Sequence, residues 1–254
     1  MLLCVDVGNT QTVLGIFRGK EITSRWRIRS DRDRTADEYG HLIRDLLRGD
    51  DIDEADLTGM SVSSVVPPAR QALMEMAKTT FGIEPLMVGP GIKTGMPILY
   101  DNPREVGADR IANAVAAYER FGRDLIVIDF GTAITFDVIT AAGQYQGGVI
   151  FPGVQISLDA LFLKAARLPR VELEKPARVV GRDTTSSIQS GIVNGYAGLV
   201  DSLVGRIAAE CGTKPLVVAT GGLSGIIASE TTTITEILPD LTLEGLKILW
   251  ERNR

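Results

Sequence analysis

The chain has 254 residues, of which 44% are hydrophobic and 23% charged, and its formal net charge is −5. The acidic balance argues against general binding to nucleic acid or to an anionic membrane. We expect a cytoplasmic protein, because no run of about 18 apolar residues could cross a membrane and the N-terminus lacks a basic and then apolar signal segment. Two cysteines, Cys4 and Cys211, are too few for a disulfide framework or a cysteine metal site.

One short motif occurs twice, near the N-terminus (Leu3–Thr12) and just before the midpoint (Val127–Thr135). In each copy an apolar run ends in an aspartate, a glycine follows two residues later, and a second apolar run comes after polar side chains. This pattern predicts a strand, a tight turn and a strand, with backbone N–H groups open to a ligand. Each aspartate, Asp6 or Asp129, could hold a metal ion or merely cap the turn. Two copies in matching halves favour a duplicated nucleotide-binding fold.

Strands and helices alternate through the rest of the first half. Thr35 and Glu38 have the spacing of a capping box, and the helix that they begin should end at Gly49. Glycines, prolines and apolar periodicity predict the next elements: a strand at 59–66, a helix at 69–80, a strand at 86–88 and a helix that begins in 107–110 and ends at 122.

The second half repeats this alternation. Residues 147–153 are predicted to open a helix, and a long helix should run from about 186 to 210. A strand at 216–219 leads into Thr220-Gly221-Gly222. The whole pattern is typical of a layered α/β core.

The two repeated turns and the segment Thr220–Gly222 resemble, in this order, the two phosphate loops and the adenosine loop of the superfamily that includes acetate kinase, sugar kinases and actin. The chain has neither a P-loop nor a dinucleotide-binding fingerprint. The resemblance implies an α/β fold of two duplicated actin-like (ribonuclease H-like) domains, residues 1–122 and 123–254, with the active site in the cleft between them.

Five segments together resemble the type III pantothenate kinase family, and the similarity extends over essentially the whole chain. They are Asp6–Thr10, Tyr100–Pro103, Gly107–Arg110, Ile128–Ala133 and Gly147–Gly153. The resemblance implies phosphorylation of pantothenate by ATP to 4′-phosphopantothenate, the first step of coenzyme A biosynthesis.

Matching motifs also imply a role for individual residues. Asp109 would be the general base on the pantothenate hydroxyl, and the substrate would be held by Tyr100, Gly107, Ala108 and Arg110. The phosphates of ATP, which carries Mg²⁺, would contact Asp6, Val7, Gly8, Asn9, Thr10, Gln11, Thr12, Val13 and Thr132. Asp129 would bind a monovalent cation, K⁺ or NH₄⁺. Thr184 would complete the substrate pocket of the neighbouring subunit in a homodimer.

Each of these side chains also has a purely structural interpretation. Asp109 could cap its helix, Arg110 could pair with a surface acid, and Tyr100 could be a half-buried aromatic residue. Thr184 could be the N-cap of the long helix. Asp6 and Asp129 could both serve Mg²⁺, because a potassium site built from carbonyl oxygens and water leaves no pattern in a sequence.

Two other functions remain open at this stage. A related kinase acting on a sugar or a short carboxylic acid would keep the three nucleotide loops and change the segment from Tyr100 to Arg110. An accessory factor for transcription would have no need of Asp109. The presence of Asp6, Asp109, Arg110 and Asp129 favours the enzyme, and the sequence contains no basic helix suited to DNA contact.

Overall fold

A computed structural model describes residues 1–165 and 167–254 and divides the chain into two compact units. Unit 1 contains Met1–Glu119 and Asp240–Arg254, and unit 2 contains Arg120–Pro239. In the part of the chain that is described, no helix combines the length and apolar character that a membrane crossing requires.

The described strands are β1 (Leu2–Val7), β2 (Gln11–Arg18), β3 (Glu21–Arg29), β4 (Gly59–Ser64), β5 (Leu86–Met87), β6 (Leu125–Phe130), β7 (Ala133–Ile139), β8 (Tyr145–Pro152), β9 (Leu216–Thr220) and β10 (Glu236–Ile237). The described helices are α1 (Ala36–Gly49), α2 (Pro67–Phe81), α3 (Ala108–Phe121), α4 (Val154–Lys164), α5 (Thr184–Cys211), α6 (Ser224–Ala228) and α7 (Leu241–Arg252). Short 3₁₀ turns occur at Glu54–Asp56 and Pro103–Glu105.

Each unit contains a five-stranded sheet, and the two sheets have the same topology. The first has the order β3-β2-β1-β4-β5, and the second read in the matching direction has the order β8-β7-β6-β9-β10. In both sheets the first three strands of the unit form antiparallel pairs, and the later two strands pair in parallel. The predicted duplication of an α/β fold is confirmed.

The core of unit 1 lies between its sheet and helices α1 and α2. Alternate residues of β1 and β2, such as Val5 and Leu14, pack with Tyr39, Ile43 and Leu73 of the two helices. The predicted capping box at the start of α1 is present: Thr35 Oγ1 accepts from Glu38 N at 3.3 Å, and Glu38 Oε2 accepts from Thr35 N at 2.8 Å. The bond from Thr35 N and a further bond from Thr35 Oγ1 to Glu38 Oε2 at 3.1 Å lower the pKa of the Glu38 carboxyl.

The other face of this sheet is covered by the last helix of the chain. Ser61 Oγ in β4 donates to the Leu246 carbonyl of α7 at 2.9 Å, and Leu243 contacts β2 at Gly15. Gly245 brings α7 against the α3 backbone at Ala112, where no Cβ could fit. Residues 240–254 therefore belong to unit 1, and this differs from the predicted division at residue 122, which grouped them with the second half.

Unit 2 has a core of its own. Ile126, Ile128 and Phe130 of β6 pack with Val193 and Tyr196 of α5, and helices α4 and α6 contribute further apolar side chains. The segment 147–153 was expected to open a helix, and it is instead mostly strand β8, with the helix beginning only after Gly153. Alternating exposure along β8 shows the two-residue period of a strand.

Helix α5 begins two residues earlier than predicted, and its N-cap is Asp183. The Asp183 carboxylate accepts from Ser186 N at 2.9 Å and from Ser186 Oγ at 2.8 Å, and both bonds lower its pKa. Thr184 is the first residue of the helix, so its interpretation as the N-cap is wrong.

Candidate active site

The first predicted phosphate turn is a hairpin that three internal contacts hold in place. Gly8 N donates to the Gln11 carbonyl at 3.0 Å, and a Cβ on Gly8 would lie 3.0 Å from the same oxygen. Ser30, at the end of β3, donates from N to the Thr10 carbonyl at 3.0 Å and from Oγ to the Gly8 carbonyl at 2.6 Å. The turn is therefore rigid before any ligand binds.

Exposure separates the predicted phosphate-binding residues into two groups. Asn9, Thr10 and Gln11 are exposed at the tip, whereas Val7 and Thr12 are buried. The hydroxyl of Thr12 lies 2.9 Å from Ser30 Oγ. The side chains of the buried residues thus support the turn, and those of the exposed residues are the ones a ligand can reach.

Asp6 lies at the end of β1, where it is half-buried beside the turn. Ser63 of β4 stands directly opposite in the parallel pair, and its Oγ donates to Asp6 Oδ1 at 2.5 Å. One carboxylate oxygen is oriented by this bond. A carboxylate fixed at the open end of a strand suits a hard cation.

The predicted substrate segment forms the first turn of α3. Asp109 Oδ1 accepts from the backbone N–H of Arg110 at 2.9 Å, and the Gly107 carbonyl accepts from Ile111 N at 3.1 Å. A Cβ on Gly107 would collide with Asp109 Oδ1, so only glycine permits this carboxylate position. Ala108 packs inside, at 9% exposure.

Arg110 is only 6% exposed, which is unusual for a guanidinium group. It follows Asp109 directly, so a carboxylate and a buried guanidinium group are adjacent at the start of one helix. The alternative of a surface ion pair for Arg110 is inconsistent with this burial. Tyr100 lies half-buried in the loop before the helix.

That loop is attached to the C-terminus of the chain. Asn253 forms a pair of hydrogen bonds with the backbone of Lys93, accepting from N at 2.8 Å and donating to the carbonyl at 3.0 Å. Arg252 Nη1 donates to the Thr94 carbonyl, and Arg252 Nη2 pairs with Glu119 Oε2 at 2.7 Å. We call these contacts of Arg252 and Asn253 the C-terminal clamp.

The second turn, in unit 2, resembles the first but is one residue shorter. Gly131 N donates to the Ala133 carbonyl at 3.1 Å, and Thr132 is exposed at the tip. Asp129 on β6 is half-buried and stands opposite Thr220 of β9, as Asp6 stands opposite Ser63. The two aspartates occupy equivalent positions in the two sheets.

The predicted adenosine loop lies directly against Asp129. Gly221 has φ +92°, and a Cβ there would lie 2.6 Å from Asp129 Oδ1 and 2.7 Å from the Phe130 backbone nitrogen. Its carbonyl accepts from Ser224 Oγ at 2.7 Å. The Gly221 backbone therefore packs so closely on Asp129 and Phe130 that no side chain fits at this position.

Thr184 is exposed and lines a cavity of about 700 Å³ that lies within unit 2. Leu161 and Leu168 form an apolar part of its wall, and residues 181–184, 187, 188, 191 and 192 form the rest. Thr184 therefore lies at an open cavity. The residues that line this cavity belong to α4, to α5 and to the segment between them, whereas the Asp129 turn joins β6 to β7.

The profile of the type III pantothenate kinase family matches residues 2–206. Type III pantothenate kinases from Syntrophotalea carbinolica and from Anaeromyxobacter sp. (strain Fw109-5) are 57% and 55% identical to the chain, over the full length of both proteins in each comparison. The chain belongs to the type III pantothenate kinase family. The predicted resemblance is confirmed.

Solved structures agree on the fold of this pantothenate kinase family member. A Campylobacter jejuni protein assigned to the Baf family of transcriptional activators superposes with a TM-score of 0.63 at 18% identity, covering 99% of this chain and 98% of that one. A ROK family glucokinase from Streptomyces griseus, in complex with glucose and AMPPNP, gives 0.52 at 13% identity, covering 98% of each chain. At these identities the likeness shows the two-domain, actin-like fold alone.

Sequence reasoning missed the residues that support the site. Ser30, Ser63 and Asn253 contact site residues or their loops from distant positions in the chain. Hydroxyl and amide side chains at strand or helix ends carry no local signal for such contacts. For Ser63 the fold does give such a signal. Strands β4 and β9 are equivalent, and Thr220 of β9 stands opposite Asp129 as Ser63 of β4 stands opposite Asp6.

Proposed function

We propose that this protein phosphorylates pantothenate with ATP to give 4′-phosphopantothenate, the first step of coenzyme A biosynthesis. The observation that carries the proposal is the start of α3, where Asp109 and the 6% exposed Arg110 adjoin each other in a chain of this family. A buried guanidinium fits a substrate with one carboxylate, and a carboxylate beside it fits the hydroxyl that accepts the phosphoryl group.

Asp109 acts as the general base. Its Oδ1 is held by the Arg110 N–H, which leaves Oδ2 for the proton of the pantothenate hydroxyl. Phosphoryl transfer passes through a loose transition state, so the base has only to orient the hydroxyl and accept its proton late. Arg110 fixes the substrate by a two-point contact to its carboxylate, with Tyr100 supporting the chain of the substrate.

The segment Asp6–Val13 binds the phosphates of ATP, and Thr132 contacts them from the second turn. Mg²⁺ would be held by phosphate oxygens and by Asp6, whose carboxylate Ser63 orients. When bound, the ion neutralises phosphate charge. The exposed amides and side chains of Asn9, Thr10 and Gln11 do the positioning.

Asp129 is the proposed ligand of the monovalent cation, K⁺ or NH₄⁺. The half-buried carboxylate of Asp129 at the end of its strand supports this assignment, as do the exposed residues Gly131 and Thr132 of the adjoining turn. Carbonyl oxygens and one carboxylate are suitable ligands for such an ion, which offsets negative charge near the phosphates.

We also propose a homodimer in which Thr184 completes the substrate pocket of the partner. Apolar side chains remain exposed on α4 and in the segment before α5: Ile156, Leu161, Phe162, Leu163, Val179 and Val180. On α5 the residues Gly191, Gly195, Gly198 and Gly205 share an exposed face, and nothing in the described structure lies within 4 Å of a Cβ at any of them. An apolar surface next to a helix face that another helix can approach closely is typical of a subunit interface.

A coupled assay of ATP consumption tests the reaction. It compares pantothenate with glucose as the acceptor, in Mg²⁺ buffers that contain potassium or sodium. We expect turnover only with pantothenate and mainly in potassium. Turnover with glucose would contradict pantothenate as the acceptor. Equal rates in both buffers would contradict a role for a potassium ion. ATP binding without turnover on either acceptor would favour a non-catalytic role.

A further inference from the structure

Two arginines of β3 lie on the same face of the first sheet as Asp6. Val13 pairs with Asp6 on one side and with Arg27 on the other, so the three residues form one row across neighbouring strands. Directly opposed residues point to the same side of a sheet. Arg29 is two positions further along β3, opposite Gln11, and so shares this face.

The row is short enough for one ligand. Adjacent strands are about 4.8 Å apart, which separates Arg27 from Asp6 by about 10 Å at the backbone. A polyphosphate chain can span that distance, all the more because the arginine side chain is long.

An open cavity occupies this part of unit 1. Its volume is about 490 Å³, and it is lined by residues 9–11 of the first turn and residues 27–30 of β3 and its end. Ser30 ties the two walls together through its contacts to the Thr10 and Gly8 carbonyls. Among the described lining residues there are two guanidinium groups and no carboxylate.

The charges of Arg27 and Arg29 are not used within the fold. Both side chains are exposed, and neither forms an ion pair or a side-chain hydrogen bond with any described residue. Arg25 on the same strand differs, because it pairs with Asp240 at 3.0 Å. The guanidinium groups beside the cavity are thus available to an anion.

We propose that Arg27 and Arg29 bind the polyphosphate tail of the nucleotide and extend the first phosphate turn. The identity of the nucleotide rests on the proposed function. Guanidinium forks match phosphate oxygens in geometry and charge, and two of them on the face of Asp6 balance the several negative charges of that tail. A single carboxylate, as in pantothenate, is already matched by Arg110 and offers too little charge for this pair.

Binding measurements without pantothenate test the proposal. The dissociation constants of ATP and AMP are measured by calorimetry at two salt concentrations for Arg27→Gln, Arg29→Gln and the control Arg18→Gln, an exposed arginine at the far end of the same hairpin. We expect each β3 variant to bind ATP about tenfold more weakly, to bind AMP as the wild type does, and to show a weaker salt dependence. Arg27→Lys should recover part of the loss.

Two outcomes of these measurements would overturn the proposal. These are an unchanged ATP affinity in both β3 variants and an equal loss of affinity for ATP and AMP. Inorganic triphosphate provides a measurement on the unaltered protein, since it should compete with ATP at this site, and a lack of competition would also contradict us. Turnover of pantothenate by the wild type is measured in a separate assay. A failure of the proposed kinase function can therefore be distinguished from a failure of nucleotide binding by Arg27 and Arg29.

Discussion

At the residue scale, the position of Asp109 is set by its immediate neighbours. The missing Cβ of Gly107 gives the carboxylate room, and the N–H of Arg110 orients it. A carboxylate placed by backbone atoms stays in position whether or not a substrate is present. This is the arrangement expected of a preorganised base.

Replacing Asp109 with asparagine should abolish most turnover. The change keeps the shape and the local hydrogen bond but removes the proton acceptor, so we expect kcat to fall by a hundredfold or more. The dissociation constants of ATP and pantothenate, measured by calorimetry, should change little. Asp37→Asn, the same substitution in the first turn of α1, is the control, and undiminished turnover in Asp109→Asn would remove Asp109 from the mechanism.

Replacing Gly221 with alanine should damage the cation site and the fold together. The φ of +92° is unfavourable for alanine, and its Cβ would lie 2.6 Å from Asp129 Oδ1, so the unfolding free energy should fall by at least about 1 kcal/mol. The response of the rate to potassium should become weaker. Gly225→Ala on α6, where a Cβ meets nothing within 4 Å, is the matched control, and a normal potassium response in Gly221→Ala would place the cation elsewhere.

The sequence predicts the positions of some residues of the candidate site and not those of others. Asp6 and Asp129 lie near the strand ends where they were predicted, because strand, turn and glycine are local features that recur at two places. The hydrogen bonds from Ser63 to Asp6 and from Ser30 to Gly8 depend on the pairing of strands that are far apart in the chain. The register in which distant strands pair depends on the whole sheet, so no local sequence pattern predicts it.

At the element scale, the C-terminal clamp holds the start of the loop that precedes α3. Asn253 makes two hydrogen bonds to Lys93, and Arg252 reaches the Thr94 carbonyl. Tyr100 follows only a few residues later. The last helical turn of α7 therefore supports a loop to which we assign substrate binding.

Removing the Asn253 side chain should loosen this loop. Asn253→Ala loses both bonds to Lys93, about 2 kcal/mol of local stability, so we expect faster hydrogen exchange in residues 93–96 and a several-fold higher KM for pantothenate. The affinity for ATP should stay the same. Arg254→Ala, which only loses the stacking on Trp250, is the neighbouring control, and unchanged exchange in Asn253→Ala would show that the loop needs no clamp.

The contact of Asp201 on α5 with Thr232 and Thr233 predicts how the stability of the fold depends on pH. Burial acts to raise the pKa of Asp201, but hydrogen bonds from Thr233 and Thr232 outweigh it, so the pKa is lowered. A lowered pKa means that the folded state binds the proton less readily, so this stability is present above the pKa of the unfolded chain and is lost as the pH falls.

Asp201→Asn should therefore lower the melting temperature near pH 7 and change it less below about pH 4. Melting curves between pH 3 and 7 measure the effect, with Asp37→Asn as the control. A constant difference between variant and wild type across this range would contradict the assignment.

Element boundaries were predicted best where a side chain signals them. The capping box of Thr35 and Glu38 located the start of α1 correctly, because both partners are close in sequence. At the start of α5 four polar residues follow Asp183, and only the observed bonds to Ser186 show which residue caps the helix. In β8 a glycine pair concealed a strand, since glycine contributes nothing to an apolar alternation.

At the scale of the whole molecule, the exposed glycine face of α5 bears on assembly. Gly198→Arg puts a large charged side chain where the described chain has open space, so the melting temperature of the isolated subunit should hardly change. If two subunits meet on this face, the variant should sediment with the mass of a single chain and show a higher KM for pantothenate. Gly49→Arg, also in open space but on α1, is the control, and a dimer that survives Gly198→Arg would move the interface to another surface.

The overall architecture could be predicted because the gene duplication that we infer left two similar signals in one sequence. The sheet orders match strand for strand, which is the pattern that the repeated motif implied. The assignment of α7 could not be predicted in this way, because an amphipathic helix at the end of a chain can pack on either sheet. The sheet on which α7 packs depends on complementary shape. Here Gly245 contacts α3 and Leu243 contacts β2.

The division of the chain has a consequence for its synthesis on the ribosome. Unit 2 is one continuous segment, Arg120–Pro239, and every residue of its core is translated before α7. The first sheet is translated earlier still, yet one of its faces is covered only by α7, which is translated after unit 2. Residues made first therefore complete their packing last, and a transcript truncated near codon 239 would yield a finished second unit joined to a first unit with exposed apolar strands.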